Sequence, residues 1–492
     1  MNAALTTNDD RHARASPRPQ LRVREGVGRN PSRTQLCDSN LHAVKTGHSE
    51  LVRAVRSSAC PEVDRQLQGT GVNCAQKPKM AVVRAQFREL PTTGAVDRKY
   101  HILSEGPDGT VYSFGGLASG GRGDERQSKP TASVLALDPA GEWSVLAPEG
   151  APGAPSPRNE ACGAIIENAI WVFGGSLESD AEGGGQGPSC DELWRFDIAS
   201  HVWERVVAPD GPSPRCASGC ATSGTILYIY GGGGVGLDQR IIAPLDDAFA
   251  FDTASLTWRE LTVNSSSTRP PGRSLPQIAV PGDGSELWLF GGFSEVGSRL
   301  NDTWVLAGLK QVAAGQATHC SWYELPVVDD DRGRPEPRSC HSGATVHLPS
   351  ESTAAGTAPL EPHWVIVSGR LGFGAAAFKD GDSDTTDADD VWLFNFRTRV
   401  WTEVEVQGGI SPGPLRSHAM TAITSPPRSG EAADDSSAVV LVYGGRSEER
   451  PVLSATYELR LVCGLEASRN SDDDSHDDGR QAEDRISSRS SL

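Results

Sequence analysis

A short apolar strand that ends in a Gly-Gly pair recurs through the middle of the chain. The clear copies are Val111–Gly116, Trp171–Gly175, Tyr228–Gly232, Leu287–Gly292 and Leu441–Gly445, and Trp364–Gly369 repeats them with Ser368 in place of the first glycine. Successive copies are 57 to 77 residues apart, a spacing typical of a repeated structural unit. The apolar pattern therefore predicts six strand-rich units in tandem.

Three further landmarks recur in step with the Gly-Gly pair. A third strand with an acidic or Asn-Asp start follows it, as in Asp191–Asp197 and Asp389–Asn395. A tryptophan comes 27 to 33 residues after most pairs, at Trp143, Trp203, Trp258, Trp322 and Trp401. An arginine turn precedes the first strand of each unit, at Arg158, Arg215, Arg273, Arg338, Arg416 and in the first unit Arg98. Because the arginine recurs in every unit, we expect it to tie its turn to a neighbouring unit rather than to touch a ligand.

The order of these landmarks resembles the kelch repeat over residues 84–463. The resemblance implies an all-β fold, a kelch-type β-propeller in which each repeat is one four-stranded blade around a central channel. The 54 glycines and 33 prolines agree with many tight turns and short strands. Glycine at the end of an inner strand permits positive φ, and tryptophan supplies a large wedge between blades.

Counting strands predicts how the ring of six blades closes. The sixth unit has three strands before the chain enters an acidic tail, whereas Ala85–Leu90 resembles a fourth strand with Phe87 in the tryptophan position. We expect this N-terminal strand to complete the last blade and leave no open edge. The predicted blades are residues 97–146, 157–208, 214–264, 272–327, 337–406, and 415–462 together with 85–90.

Composition adds a basic leader and an acidic tail, both predicted to be disordered. Residues 1–83 are arginine-rich and polar, and residues 464–492 are aspartate-rich. The formal net charge is −18 for the chain and −20 for the middle, because the leader is net positive. Met80 is a hypothetical start site. No signal sequence or long apolar run appears, a transit peptide is disfavoured, and the ten cysteines include no CxxC motif. We expect reduced thiols and a cytoplasmic location, with a nuclear location left open. We also expect that the protein does not insert into a membrane and that the propeller does not bind nucleic acid.

The resemblance also implies where a partner binds. Kelch ligands meet loops after the Gly-Gly pair and after the arginine turn. The first set holds Arg370 and Arg446, with Ser176 and Phe293 at equivalent positions, and the second holds Asn159, Glu160, Ser274, Ser339, His341, Ser417 and His418. We expect Arg370, Arg446, His341 and His418, from neighbouring blades five and six, to form the main partner-binding arc.

These features favour a non-enzymatic interaction platform for a peptide or basic protein surface. Two alternatives stay open: a metal-dependent oxidase or epimerase that uses the channel, and a substrate adaptor of a ubiquitin ligase, although neither a BTB domain nor an F-box is evident. No P-loop, serine elbow or ligand-spaced metal motif appears, so no cofactor is predicted. Phe378–Asp390 holds six aspartates but lacks the glycine and glutamate of an EF-hand, which leaves a solvated loop or a loose cation site.

Overall fold

The computed structural model describes residues 82–119, 128–179, 186–238, 240–264, 268–326, 333–350, 359–372, 386–424, 437–448 and 452–464. The predicted disordered leader up to residue 81, the hypothetical start at Met80, the tail from residue 465 and the aspartates at 380, 382 and 384 lie outside these residues. The described part of the chain is built almost wholly of strands.

The first three blades follow one another along the chain. In each, four successive strands pair antiparallel, and short two-residue strands extend the end where the Gly-Gly pair lies. Strand β1 is Val82–Glu89, and the strands of blades one to three are β2 (Arg98–Lys99), β3 (Ile102–Glu105), β4 (Val111–Phe114), β5 (Leu117–Ala118), β6 (Lys129–Pro130), β7 (Val134–Leu137), β8 (Trp143–Ala147), β9 (Arg158–Asn159), β10 (Cys162–Ile166), β11 (Ala169–Phe173), β12 (Ser176–Leu177), β13 (Leu193–Asp197), β14 (Val202–Val206), β15 (Gly219–Ser223), β16 (Ile226–Tyr230), β17 (Gly234–Val235), β18 (Ile241–Ile242), β19 (Ala248–Asp252) and β20 (Thr257–Glu260).

Blades four to six have longer second and third strands, which run past the Gly-Gly position. Their elements are β21 (Arg273–Ser274), β22 (Gln277–Ala279), β23 (Glu286–Ser294), β24 (Arg299–Ala307), the short helix α1 (Leu309–Ala313), β25 (Ser321–Glu324), β26 (Arg338–Ser339), β27 (Ser342–Pro349), β28 (Leu360–Leu371), β29 (Asp387–Asn395), β30 (Val400–Glu403), β31 (Glu405–Gln407), β32 (Ala419–Ile423), β33 (Ser437–Tyr443) and β34 (Thr456–Gly464).

The N-terminal strand is the fourth strand of the sixth blade. Strand β1 pairs antiparallel with β34 over its whole length, and Phe87 lies opposite Leu459. Its other edge pairs parallel with β31, where Arg84 faces Glu405. Phe87 is buried among apolar residues that include Val365 and Val367 of blade five. The start and the end of the domain are thus joined in one sheet.

The first strands of the described blades line a central channel. Strands β3, β10, β15, β22, β27 and β32 contact each other in that cyclic order, and β32 returns to β3. They enclose a cavity of about 620 Å³. Alternate apolar residues of the blade sheets fill the spaces between neighbours, because successive side chains of a strand point to opposite faces of its sheet.

Tryptophans of the fourth strands wedge between blades, as the repeat pattern predicts. Trp143 of blade one stacks on Tyr443 of blade six with ring centroids 4.4 Å apart, and its indole Nε1 donates to Thr456 Oγ1 at 3.2 Å. Trp401 of blade five packs on Phe290 of blade four at 4.7 Å. Each such ring belongs to one blade and buries its area against the blade before it.

Candidate functional site

Six residues encircle the end of the channel where the first strands begin, and we call them the mouth ring. Each lies two residues before the first residue of its blade's first strand, and all have positive φ although none is glycine: Tyr100, Glu160, Ala217, Leu275, Cys340 and Ser417. Main-chain hydrogen bonds of 2.7 to 3.0 Å link them around the channel: Tyr100 N to Ser417 O, Glu160 N to Tyr100 O, Ala217 N to Glu160 O, Leu275 N to Ala217 O, and Ser417 N to Cys340 O. This backbone ring explains the unusual φ, because each amide must point along the circumference.

The repeated arginines are buried structural residues that bridge two blades. Arg273, 0% exposed, donates from Nη1 to Gly291 O (3.0 Å) and from both terminal nitrogens to Asp302 (2.7 and 2.8 Å) within its own blade. Its main chain pairs with Gly232 and Leu245 of the preceding blade. The expected tie to a neighbouring blade is therefore made by the backbone, while the guanidinium anchors the turn to its own blade.

The sixth blade departs from this pattern. Leu415 makes the main-chain bonds that the arginine makes elsewhere, from Gly369 N to Leu415 O (2.8 Å) and from Leu415 N to Ala388 O (3.1 Å). Arg416 lies one residue later and donates instead to both carboxylate oxygens of Asp387 in blade five. Grouping Arg416 with the other repeated arginines was wrong, because Arg416 directly precedes its mouth-ring residue Ser417, whereas Arg273 stands two residues before Leu275.

The two histidines of the predicted arc lie inside the blade interfaces. His341 and His418 are 3% and 5% exposed, and His101 occupies the equivalent place in blade one. The His341 ring packs on Phe290 at 5.4 Å and the His101 ring on Tyr443 at 5.1 Å. Burial lowers the pKa of all three, that of His418 to about 3. The expectation that His341 and His418 contact a partner on the rim is corrected, because neutral, buried rings between blades do not face outward.

The predicted serines are also inaccessible. Ser274, Ser339 and Ser417 are 8%, 3% and 4% exposed. Ser339 Oγ accepts a hydrogen bond from Arg299 Nε at 3.2 Å, and its main chain pairs with Arg370. These serines sit in or beside the short mouth strands, so their side chains are enclosed by the adjacent blade rather than offered to a partner.

Four predicted residues remain at the surface of the mouth: Arg370, Arg446, Asn159 and Glu160 are all partly exposed. The Glu160 carboxylate accepts from Cys216 Sγ (3.3 Å) and from Gln186 Nε2 (3.4 Å), and burial raises its pKa. Asn159 Nδ2 donates to Ser176 O at 3.3 Å. Asn159 and Glu160 thus brace the blade-two side of the mouth.

On the opposite side the structure assembles an arc of four arginines, which we call the arginine arc: Arg299, Arg370, Arg416 and Arg446. Arg299 of blade four donates to Gly372 O at 3.2 Å, and burial together with the nearby charges of Arg370 and Arg416 lowers its pKa. Arg446 shares two main-chain hydrogen bonds with Arg416, of 2.9 and 3.0 Å. Sequence reasoning missed Arg299, which is the first residue of the third strand, β24, of blade four. Asp387 is the carboxylate hydrogen-bonded to this arc.

Across the described part of the chain, no three His, Cys, Asp or Glu side chains group in a way that would hold a metal ion. Asp387 and Asp390, at the end of the predicted acidic loop, are engaged by Arg416 and Arg338. No helix among the described residues is long and apolar enough to span a bilayer.

Comparison with known proteins agrees with this architecture. Residues 79–282 match the model of the KLHDC2/KLHL20/DRC7 Kelch-repeats domain. This part of the chain is similar to kelch repeats. The chain is 27% identical to the mouse Kelch domain-containing protein 1 over 45% of this chain and 58% of that protein. It is 27% identical to the human Kelch domain-containing protein 3 over 37% of this chain and 45% of that protein, so it spans about half the length of these curated relatives.

An enzyme is also similar to this chain. The N-(sulfonatooxy)prop-2-enimidothioate sulfolyase of Thlaspi arvense is 24% identical over 63% of this chain and 76% of that protein. Among solved structures, the one titled "Structure of YjhT" aligns with 75% of this chain and 95% of its own at 15% identity, with a TM-score of 0.47.

Proposed function

We propose that this protein is a non-enzymatic platform that binds a protein partner at the channel mouth. The observation that carries the proposal is the arginine arc, in which the partly exposed Arg370 and Arg446 stand on neighbouring blades beside the mouth ring. Arg370 lies in β28 and pairs with Ser339, and Arg446 forms a β-bridge with Arg416. Fixing the backbone of both arginines in this way lowers the entropy lost when a partner is bound.

The arc favours a partner that presents carboxylates at the point of contact. A planar guanidinium donates two parallel hydrogen bonds to a carboxylate, and several arginines together set its orientation. The formal net charge of −18 acts in the other direction at long range and attracts cationic surfaces. We therefore expect a partner that is basic overall and presents an acidic segment to the arginine arc. This keeps the expectation of a basic protein surface and adds a point of contact that carries carboxylates.

The test is affinity purification followed by mass spectrometry on the wild type and the double variant Arg370→Ala/Arg446→Ala. The matched control is Arg397→Ala/Arg399→Ala, which removes the same charge from exposed arginines at the β29–β30 turn, the end of that blade away from the mouth. We expect the mouth variant to lose partners that the control keeps. If the mouth variant retains every partner, the proposed face is wrong.

An enzymatic role is the second candidate, and the similarity to the sulfolyase favours it. Metal analysis of the purified protein separates the two, since stoichiometric copper or iron supports the enzyme. The same purification tests the hypothesis of a ubiquitin-ligase adaptor. Ubiquitin-ligase subunits that remain bound to the Arg370→Ala/Arg446→Ala variant would support it.

A further inference from the structure

Two cysteines from neighbouring blades face each other in the channel wall. Cys162 begins β10 in blade two, and Cys220 is the second residue of β15 in blade three. Cys162 lies four residues after Arg158 and Cys220 five after Arg215, so the two occupy opposite faces of equivalent strands. Neighbouring blades pack with the front face of one sheet against the back face of the next. The offset of one residue therefore turns the Cys162 and Cys220 side chains toward each other.

The two cysteines come from strands that lie side by side in the channel wall. Strand β10 contacts β15, and Cys162 Sγ lies 4.0 Å from the carbonyl oxygen of Gly219, the neighbour of Cys220. Both belong to the apolar cluster between blades two and three that includes Trp171 and Leu227. The pair is therefore held in place by the same packing that joins the blades.

The pair is reachable from the channel. Both cysteines line the cavity of about 620 Å³, and Cys220 is partly exposed whereas Cys162 is buried. Burial and the hydrogen bond from Cys220 raise the pKa of the Cys162 thiol well above its usual value. A small reagent in the channel accordingly meets Cys220 first, and Cys162 is placed to resolve the product.

We propose that Cys162 and Cys220 are a reversible redox site that forms a disulfide between the first strands of blades two and three. The oxidant is a low-molecular-weight disulfide. The Cys220 thiolate attacks one of its sulfurs and releases one small thiolate, and the Cys162 thiolate then attacks Cys220 Sγ and releases the second. Two cysteine thiols are oxidised, one disulfide is reduced to two thiols, and the two protein protons end on the released thiols.

The test is incubation of the full-length protein with oxidised glutathione at pH 8, alkylation of the remaining thiols, and digestion with trypsin and a glutamate-specific protease. Digestion releases residues 161–167, in which Cys162 is the sole cysteine. We expect this peptide to be linked to the peptide of Cys216 and Cys220, the intact mass to fall by about 2 Da, and dithiothreitol to reverse both changes.

Matched variants identify the second sulfur. Cys216 lies on the same peptide but contacts Glu160 instead. Cys216→Ser is expected to keep the link and Cys220→Ser to abolish it. The oxidised wild type is further expected to melt several degrees above the reduced protein, with no shift in Cys220→Ser. Absence of the link in a folded wild type, stable glutathionylation of Cys220 alone, or a link that survives in Cys220→Ser would each overturn the proposal.

Discussion

Arg416 donates hydrogen bonds to both carboxylate oxygens of Asp387, and the two side chains are 9% and 0% exposed. This ion pair joins blade six to blade five at the channel mouth, at a place where the other blades use the repeated arginine within their own sheet. Asp387 also neutralises charge beside Arg299. The pair is thus both an inter-blade contact and the counter-charge of the arginine arc.

Removal of Asp387 is expected to destabilise the protein strongly. Asp387→Ala leaves a buried guanidinium without its carboxylate, which lowers the free energy of unfolding by about 3–5 kcal/mol. The double variant Asp387→Ala/Arg416→Leu removes both charges and is expected to be more stable than Asp387→Ala alone. Urea unfolding of the three proteins checks this, and a double variant no more stable than the single one would contradict it.

The N-terminal strand is expected to be essential for stability. Phe87→Ala empties a buried site between blades five and six, at a cost of about 3–5 kcal/mol, and deletion of residues 80–91 exposes the edge of β34 and lowers the melting temperature further. Gln86→Ala, an exposed neighbour on the same strand, is the control and is expected to leave stability unchanged. Unchanged melting of the deletion variant would exclude β1 as a required part of blade six.

Stability is expected to fall as the pH drops below about 6.5, the histidine pKa of an unfolded chain. His101, His341 and His418 have lowered pKa values in the folded state, where they face Arg98, Arg338 and one another. Between about 6.5 and the folded pKa, about 3 for His418, the unfolded chain binds more protons than the folded one. Each histidine then removes about 1.4 kcal/mol of stability per pH unit.

Urea unfolding at several pH values between 7.5 and 5 measures this slope. His341→Gln is expected to reduce this slope by the contribution of one proton, and His341→Gln/His418→Gln by the contribution of two protons. The control variant is His201→Gln, which replaces an exposed histidine outside the blade interfaces at the channel mouth. Equal slopes in the wild type and the double variant would show that the buried histidines do not set the pH dependence.

Ser368 is a position where glycine is expected to stabilise the fold. It has φ 52°, close to the 63° of the equivalent Gly291, and a side chain in this left-handed region costs about 1–2 kcal/mol. After the entropy cost of glycine, Ser368→Gly is expected to raise stability by up to about 1 kcal/mol. The reciprocal Gly291→Ser is expected to destabilise, because its Cβ would meet Arg338 O at 3.1 Å and His341 Cε1 at 2.9 Å. Thermal melting of both variants measures these effects. A loss of stability in Ser368→Gly would show that the backbone at Ser368 is not strained in the wild type.

The candidate site was only partly predictable from the repeat. Arg370 and Arg446 follow Ser368-Gly369 and Gly444-Gly445 directly, and the structure places both at the mouth, whereas their role in partner binding stays a prediction. His341 and His418 follow the arginine turn by three and two residues and lie directly before the first strand of their blade, where their side chains are buried. A shift of one residue changes which face of a strand a side chain occupies, and sequence spacing alone did not show on which residue the strand begins.

Local pattern alone determined the strands, the six-fold repeat, the tryptophan wedges and the N-terminal strand as a fourth strand, because each depends on residues close in sequence or on a count of strands. Contacts between blades decided the rest. The pairing of Arg416 with Asp387, the arrival of Arg299 at the arginine arc and the facing thiols of Cys162 and Cys220 all join residues that only the packing of adjacent sheets brings together. Such contacts depend on the register and angle between sheets, which arise from side-chain packing over the whole ring and leave no periodic signal in the chain.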